Sequence, residues 1–134
     1  MSCVETYVTL RIFSDSMHPD EISAILGIDA MDARPRDINS RHRPRREHNL
    51  WAWDTRPFES TDNLDHIKKV IKVLDGKEDH LDKLRALGCE VDLYSYWVGN
   101  GQGGPFLHVS TMRSLCDLGL EIGWDTYFRK DEDA

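Results

Sequence analysis

Residues 84–97 read LRALGCEVDLYSYW and residues 115–128 read LCDLGLEIGWDTYF, two passages 31 residues apart with one plan. In the first, Leu84 and Leu87 keep helical spacing up to Gly88, the residue type that ends a helix in the left-handed conformation. Cys89, Val91, Leu93 and Trp97 then alternate with Glu90, Asp92, Tyr94 and Tyr96, the period of a strand with one buried face. The second repeats the plan through Leu115, Leu118 and Gly119, followed by Leu120, Ile122, Trp124, Thr126 and Phe128 as a strand. Helix, glycine stop and strand, used twice, predict an α+β domain.

Outward from these passages the same rules parse the chain. Val4 to Phe13 alternates, with Val4, Val8, Leu10 and Ile12 on one face and Glu5, Tyr7, Thr9 and Arg11 on the other. Pro19 suits a first helical position, and Ile22, Ile25 and Leu26 make a short helical stripe stopped by Gly27. Asp29 to Glu47 shows no periodicity and reads as a long surface loop. Trp51-Ala-Trp53 places two aromatics on one face of a strand over Asn49 to Arg56. Ser60-Thr-Asp62 caps a helix through Leu64, Ile67, Val70, Ile71 and Leu74, and Leu81 opens the next. Gly99 to Gly104 reads as a hairpin turn, Phe106 to Val109 as a short strand, and Ser110 as the cap of a last helix. The fold expected is a mostly antiparallel five-stranded sheet with helices on one face, a ferredoxin-like core preceded by an extra strand and helix. A single domain over 1–134 is expected from the length, with 129–134 a disordered tail.

Composition narrows the function. Hydrophobic residues make up 40% and charged residues 31%, so there is material for a core and for a solvated surface. No apolar run nears the roughly 18 residues of a membrane span, and Met1-Ser2-Cys3-Val4-Glu5 lacks the features of a signal peptide. A cytoplasmic protein without membrane contact is expected. Three cysteines without paired spacing suggest no disulfide framework and no cysteine zinc site, and the six histidines show no ligand spacing. No metal and no cofactor are expected. No Ser lies in a G-x-S-x-G elbow, and Cys89 and Cys116 fall at apolar positions, so no catalytic residue is proposed.

Two surfaces stand out. If even positions of the first and last strands and odd positions of the 89–97 strand face the core, Tyr7, Tyr94, Tyr96 and Tyr127 share the outer face. Glu5, Glu90, Asp92, Glu121 and Asp125 lie there with them. Tyrosine offers a rigid apolar body with a polar tip, and carboxylates select a basic partner, so a protein partner is expected, a basic toxin or a second copy. Nucleic acid is disfavoured, because a base-stacking platform needs cations beside its aromatics. The second surface is residues 34–47, where Arg34, Arg36, Arg41, Arg43, Arg45 and Arg46 face only Asp37 and Glu47. That local excess of four positive charges leaves −11 for the rest of a chain of net charge −7. With Trp51 and Trp53 the arginines offer an alternative: a pocket for phosphate or another small anion, in a binding protein or an enzyme.

The strand TYVTLRIFS, the helix ending ILGI, the following ARPRD, the W-A-W strand, LGCEVDLYSYW and LGLEIGWDTYF together resemble a bacterial family, domain of unknown function family 4279. The resemblance runs from about Thr6 to Tyr127. It implies a small single-domain bacterial protein of α+β type, similar in size and acidity to immunity proteins that neutralise toxins. It carries no catalytic residue onto this chain.

Overall fold

The computed structural model describes residues 3–37 and 47–129. In chain order the elements are β1 (Cys3–Ser14), α1 (Pro19–Leu26), β2 (Asp32–Arg34), β3 (Asn49–Asp54), α2 (Asn63–Val73), α3 (Glu78–Ala86), β4 (Glu90–Asn100), α4 (Val109–Asp117) and β5 (Glu121–Arg129). The strands form one open five-stranded sheet in the order β2-β3-β1-β4-β5, so the first long strand is the central one. β1 pairs antiparallel with both β3 and β4, β2 pairs antiparallel with β3, and β4 and β5 are parallel. Because β3 and β4 both oppose β1, they run the same way, joined by α2 and α3 with β1 slotted between them. That split crossover is the ferredoxin-like element of the fold, and β4-α4-β5 adds a direct parallel crossover.

Alternation decides what is buried. Val8, Leu10 and Ile12 of β1, Trp51 of β3 and Leu93 of β4 join Ile22, Leu26, Ile67, Val70, Leu81, Leu84 and Leu115 of the four helices in one core. All four helices therefore contribute to one face of the sheet. The seam between α2 and that sheet is polar but satisfied at Thr55. Its Oγ1 accepts from Val8 N at 2.9 Å and meets His66 Nδ1 at 2.6 Å, while His66 Nε2 meets Ser60 O at 2.8 Å. A fully buried imidazole and hydroxyl are tolerable only because each polar atom has a partner.

The α+β class and the five-stranded sheet stand as expected, but the first strand is not an extra one preceding a ferredoxin-like core: it is the central strand, paired on both sides, and other details differ as well. Phe106 to Val109 is not a strand: the glycine-rich stretch after Asn100 leads into α4, with His108 rather than Ser110 at the N-cap position. The supposed loop from Asp29 holds the three-residue edge strand β2. Val4 is exposed rather than core, because a bulge between Cys3 and Glu5 removes it from the ladder. Leu87 and Cys116 are exposed, and Trp124, on edge strand β5, is half-buried. Arg129 closes β5 instead of starting a tail, and residues 130–134 lie outside the described residues.

Candidate protein-binding face

The face of the sheet turned away from the helices carries the tyrosines. Across β1 and β4, Tyr7 is opposite Tyr96, Thr9 opposite Tyr94 and Arg11 opposite Asp92. Across β4 and β5, Asp92 aligns with Glu121, Tyr94 with Gly123, Tyr96 with Asp125 and Val98 with Tyr127. Cross-strand partners share a face, so Tyr7, Tyr94, Tyr96 and Tyr127 come together with Glu90, Asp92 and Asp125, as the alternation predicts. Three of the rings form a ladder over three strands: Tyr7 stacks on Tyr96 with centroids 4.8 Å apart, and Tyr96 meets Tyr127 at 5.6 Å. Tyr127, on the edge strand, is 51% exposed.

Tyr94 stands apart from the ladder and is held by a cation instead. The Arg11 guanidinium lies 4.3 Å from its ring centroid and 5.2 Å from that of Phe13. Arg11 also forks onto Asp92, with Nε to Oδ1 at 2.8 Å and Nη2 to Oδ2 at 2.7 Å. Gly123 leaves Tyr94 its space, since a Cβ there would stand 3.2 Å from Tyr94 Cδ1. At the other end of the ladder Arg56 sits 5.2 Å from the Tyr7 centroid and forks onto the buried Asp54. Arg11, Arg56 and Asp54 are members of this face that the sequence reading did not single out. Strand alternation places Arg11 here, but its pairing with Asp92 depends on the register of strands 81 residues apart.

The face is acidic in balance. Glu5, Asp32, Asp54, Glu90, Asp92, Glu121 and Asp125 share the face with Arg11, Arg34, Arg56 and Arg129; the first three arginines are paired with Asp92, Asp32 and Asp54 respectively, and Arg129 holds no ion pair among the described residues. Among the described residues, Glu5, Glu90, Glu121 and Asp125 hold no ion pair; Glu5 and Asp125 lie beside the aromatic ladder, and Glu90 and Glu121 lie at the other end of the face, next to Arg85. Four side chains feel this setting in their protonation. Hydrogen bonding to Asp125 and its negative charge hold the Tyr127 phenol above its ordinary value of 10.0. Burial raises the Tyr7 phenol, against the pull of Arg56. The hydrogen bonds to Asp92 and Asp54 raise the Arg11 and Arg56 guanidiniums in the same way. A hollow of about 540 Å³ lies beside the ladder at Glu5, Tyr7 and Arg56, and one of about 420 Å³ lies at the other end of β4, beside Arg85, Glu90, Asp92 and Glu121.

The alternative anion pocket is not assembled by the described residues. Arg41, Arg43, Arg45 and Arg46 lie outside them. Trp51 is fully buried, with its indole Nε1 donating to Ser23 Oγ at 2.9 Å, and so cannot line a surface pocket. Trp53 packs half-buried against the same core. Arg34 aligns with Leu50 on the opposite face of the sheet, where it pairs with Asp32 at 3.1 Å. Arg36 donates its backbone N–H to Asn49 Oδ1 and its guanidinium to Asp15 O. The spacing that put both tryptophans on one face was right about the face, but that face is the covered one. Among the described residues, no group of three or more His, Cys, Asp or Glu side chains could hold a metal ion. The three cysteines are free: Cys89 is buried, Cys3 partly exposed and Cys116 exposed.

The fold and the face define a class: an α+β domain built on an open mixed sheet, with its helices on one side and an aromatic, acidic surface on the other. Within that class the chain belongs to the family described as Domain of unknown function (DUF4279), whose model matches residues 4–129. No curated protein and no solved structure matches the chain. Among the described residues no helix is long and apolar enough to cross a membrane.

Proposed function

We propose that this chain is a cytoplasmic protein-binding domain whose tyrosine and carboxylate face receives a basic surface of a partner protein. The observation that carries the reading is the Tyr7–Tyr96–Tyr127 ladder with Glu5 and Asp125 beside it, two carboxylates that hold no ion pair among the described residues. Tyrosines already ordered by stacking lose little side-chain freedom on binding, which favours them as anchors. The chain's own arginines show the chemistry in miniature: Arg11 over Tyr94 and Arg56 over Tyr7 each combine a ring face with a carboxylate. A partner's arginine or lysine placed near Tyr96, Tyr127 and Asp125 would meet the same pair of groups. The acidity of the chain fits an immunity-protein-like role in a bacterial cell, with a basic toxin as the partner. Nucleic acid fits poorly, because one unpaired cation among the described residues, Arg129 two residues beyond Tyr127 on the same face, is too little to hold a phosphate backbone beside Glu5 and Asp125.

The test uses an oligo-arginine peptide as the basic probe and two variants of equal net charge. One neutralises the face (Glu90→Gln, Glu121→Gln, Asp125→Asn); the other neutralises helices α1 and α3 (Glu21→Gln, Glu78→Gln, Asp79→Asn). The face variant is expected to weaken binding about tenfold and the helix variant no more than about twofold, with added salt weakening all three proteins. Equal losses in the two variants would reduce the interaction to net charge and overturn the reading.

A further inference from the structure

β5 is the outermost strand of the sheet, bonded to β4 on one side and to no strand on the other among the described residues. It runs EIGWDTYFR without a proline, a lysine or a break in register, whereas the opposite edge, β2, is only three residues long. Edge strands are commonly shortened, bulged or blunted with Lys and Pro, because a long edge of open N–H and C=O groups is a template for another strand. Gly101 N donates to Arg129 O, so Arg129 turns its carbonyl toward β4. Successive residues of a strand point their backbone groups to opposite edges. The odd-numbered residues of β5 therefore bond β4, and Ile122, Trp124, Thr126 and Phe128 direct N–H and C=O outward. The second half of the strand, from Thr126 to Arg129, is exposed. Phe128 is 56% exposed although its ring meets Trp97 on the helix side of the sheet.

This edge is complementary to itself. Two copies pairing antiparallel along it are related by a two-fold axis through the sheet, and each face must meet its own kind, so the axis passes through a residue and not between two. An axis at Asp125 opposes the two Asp125 carboxylates, which is unfavourable. One at Trp124 carries Arg129 past the end of the other copy's strand, and one at Tyr127 pairs only 125–129. An axis at Thr126 pairs 123–129 of each copy. Thr126 then faces its own counterpart, Trp124 faces the second copy's Phe128, and Asp125 faces the second copy's Tyr127, pairings that stabilise a sheet. Arg129 arrives opposite Gly123, which has no side chain, with Glu121 and Asp125 on either side along the same face. Among the described residues Arg129, Glu121 and Asp125 hold no ion pair within the chain, so the second copy supplies what each lacks, twice over by symmetry.

We propose that a second copy of this chain docks on the free edge of β5, antiparallel about Thr126, joining the two sheets into one. Backbone bonds from Trp124, Thr126 and Phe128 supply affinity, and Arg129 between the two carboxylates fixes the register. Asp125 and Tyr127 border both this edge and the tyrosine ladder. The two readings are nevertheless separable, because self-association is measured without a basic peptide and peptide binding on a monomeric variant.

Sedimentation velocity of the full chain tests the proposal. A dimer is expected that dissociates on dilution through the micromolar range and on raising salt. Thr126→Pro removes an outward N–H and leaves the bonds to β4, so it should weaken self-association at least about tenfold. Arg129→Glu keeps every backbone group and should act in the same direction, which covers the case of a proline variant that fails to fold. In a Cys3→Ser, Cys116→Ser background, Thr126→Cys should give a disulfide-linked dimer under mild oxidation and Phe128→Cys should not. The opposed Cα atoms are expected about 5.5 Å apart at 126 and more than about 12 Å apart at 128. Oligo-arginine binding by the Thr126→Pro monomer reports on the ladder face by itself. The proposal is overturned by a monomer at every concentration, by a dimer that neither variant weakens, or by Phe128→Cys cross-linking as readily as Thr126→Cys.

Discussion

Tyr7 and Tyr127 stand at the two ends of one ladder, and both phenols are pushed above the ordinary value of 10.0 for different reasons. Tyr7 is raised chiefly by burial, whereas Tyr127 is raised chiefly by its hydrogen bond with Asp125. A raised value means that the fold favours the protonated phenol. The stability this contributes is whole below about pH 10 and is lost as pH rises through the folded-state values. An alkaline titration followed by phenolate absorbance should therefore show two tyrosines ionising later than a free tyrosine, with unfolding easing over the same range. In Asp125→Asn, ionisation of Tyr127 should fall back towards the ordinary value while Tyr7 changes little. An unaltered titration in that variant would remove Asp125 from the account of Tyr127. At this scale the sequence was informative about faces and silent about covers. Alternation put the four tyrosines together because side-chain direction has a period of two. The same rule put Trp51 and Trp53 together without revealing that helices lie over them, since residue type alone does not say which face is sealed.

The paired helix–glycine–strand passages become matching elements. Gly88 has φ 92° and Gly119 φ 67°, and in each case the next residue reaches back, Cys89 N to Leu84 O and Leu120 N to Leu115 O, closing the helix end. The two ends are also tied across space, since Arg85 Nη2 donates to Leu118 O at 2.7 Å and to Gly119 O at 2.9 Å. A guanidinium there supplies donors to carbonyls that the end of α4 leaves open and sits at the negative end of that helix. Arg85→Ala is expected to cost about 1–2 kcal/mol in urea unfolding, with Arg85→Lys recovering part of it. A loss below about 0.3 kcal/mol would show that the clamp is ornamental to stability. These elements were legible because glycine stops and apolar spacing are local signals. The crossover after β4 was not: the glycine cluster reads as a hairpin, and only the parallel pairing of β5 shows that the chain crosses over through α4 instead. The edge strand β2, at three residues, is too short to show a period.

The four helices gather on one side of the sheet, and the acidic, aromatic side chains gather on the other, so the molecule presents two unlike surfaces. That division was legible in outline from alternation and charge. The ladder itself was not, because stacking of Tyr7 on Tyr96 requires the register between strands 89 residues apart, which no local pattern encodes. The family match strengthens the fold and assigns no chemistry, so the face carries the functional argument by itself. The most direct check is a two-dimensional amide NMR titration of the full chain with the oligo-arginine peptide at low salt. The account predicts saturable shifts concentrated at Tyr7, Arg11, Tyr94, Tyr96, Asp125 and Tyr127, reversed by raised salt and small on α1 and α3. Shifts concentrated on the helices, or spread evenly over the acidic surface, would contradict it.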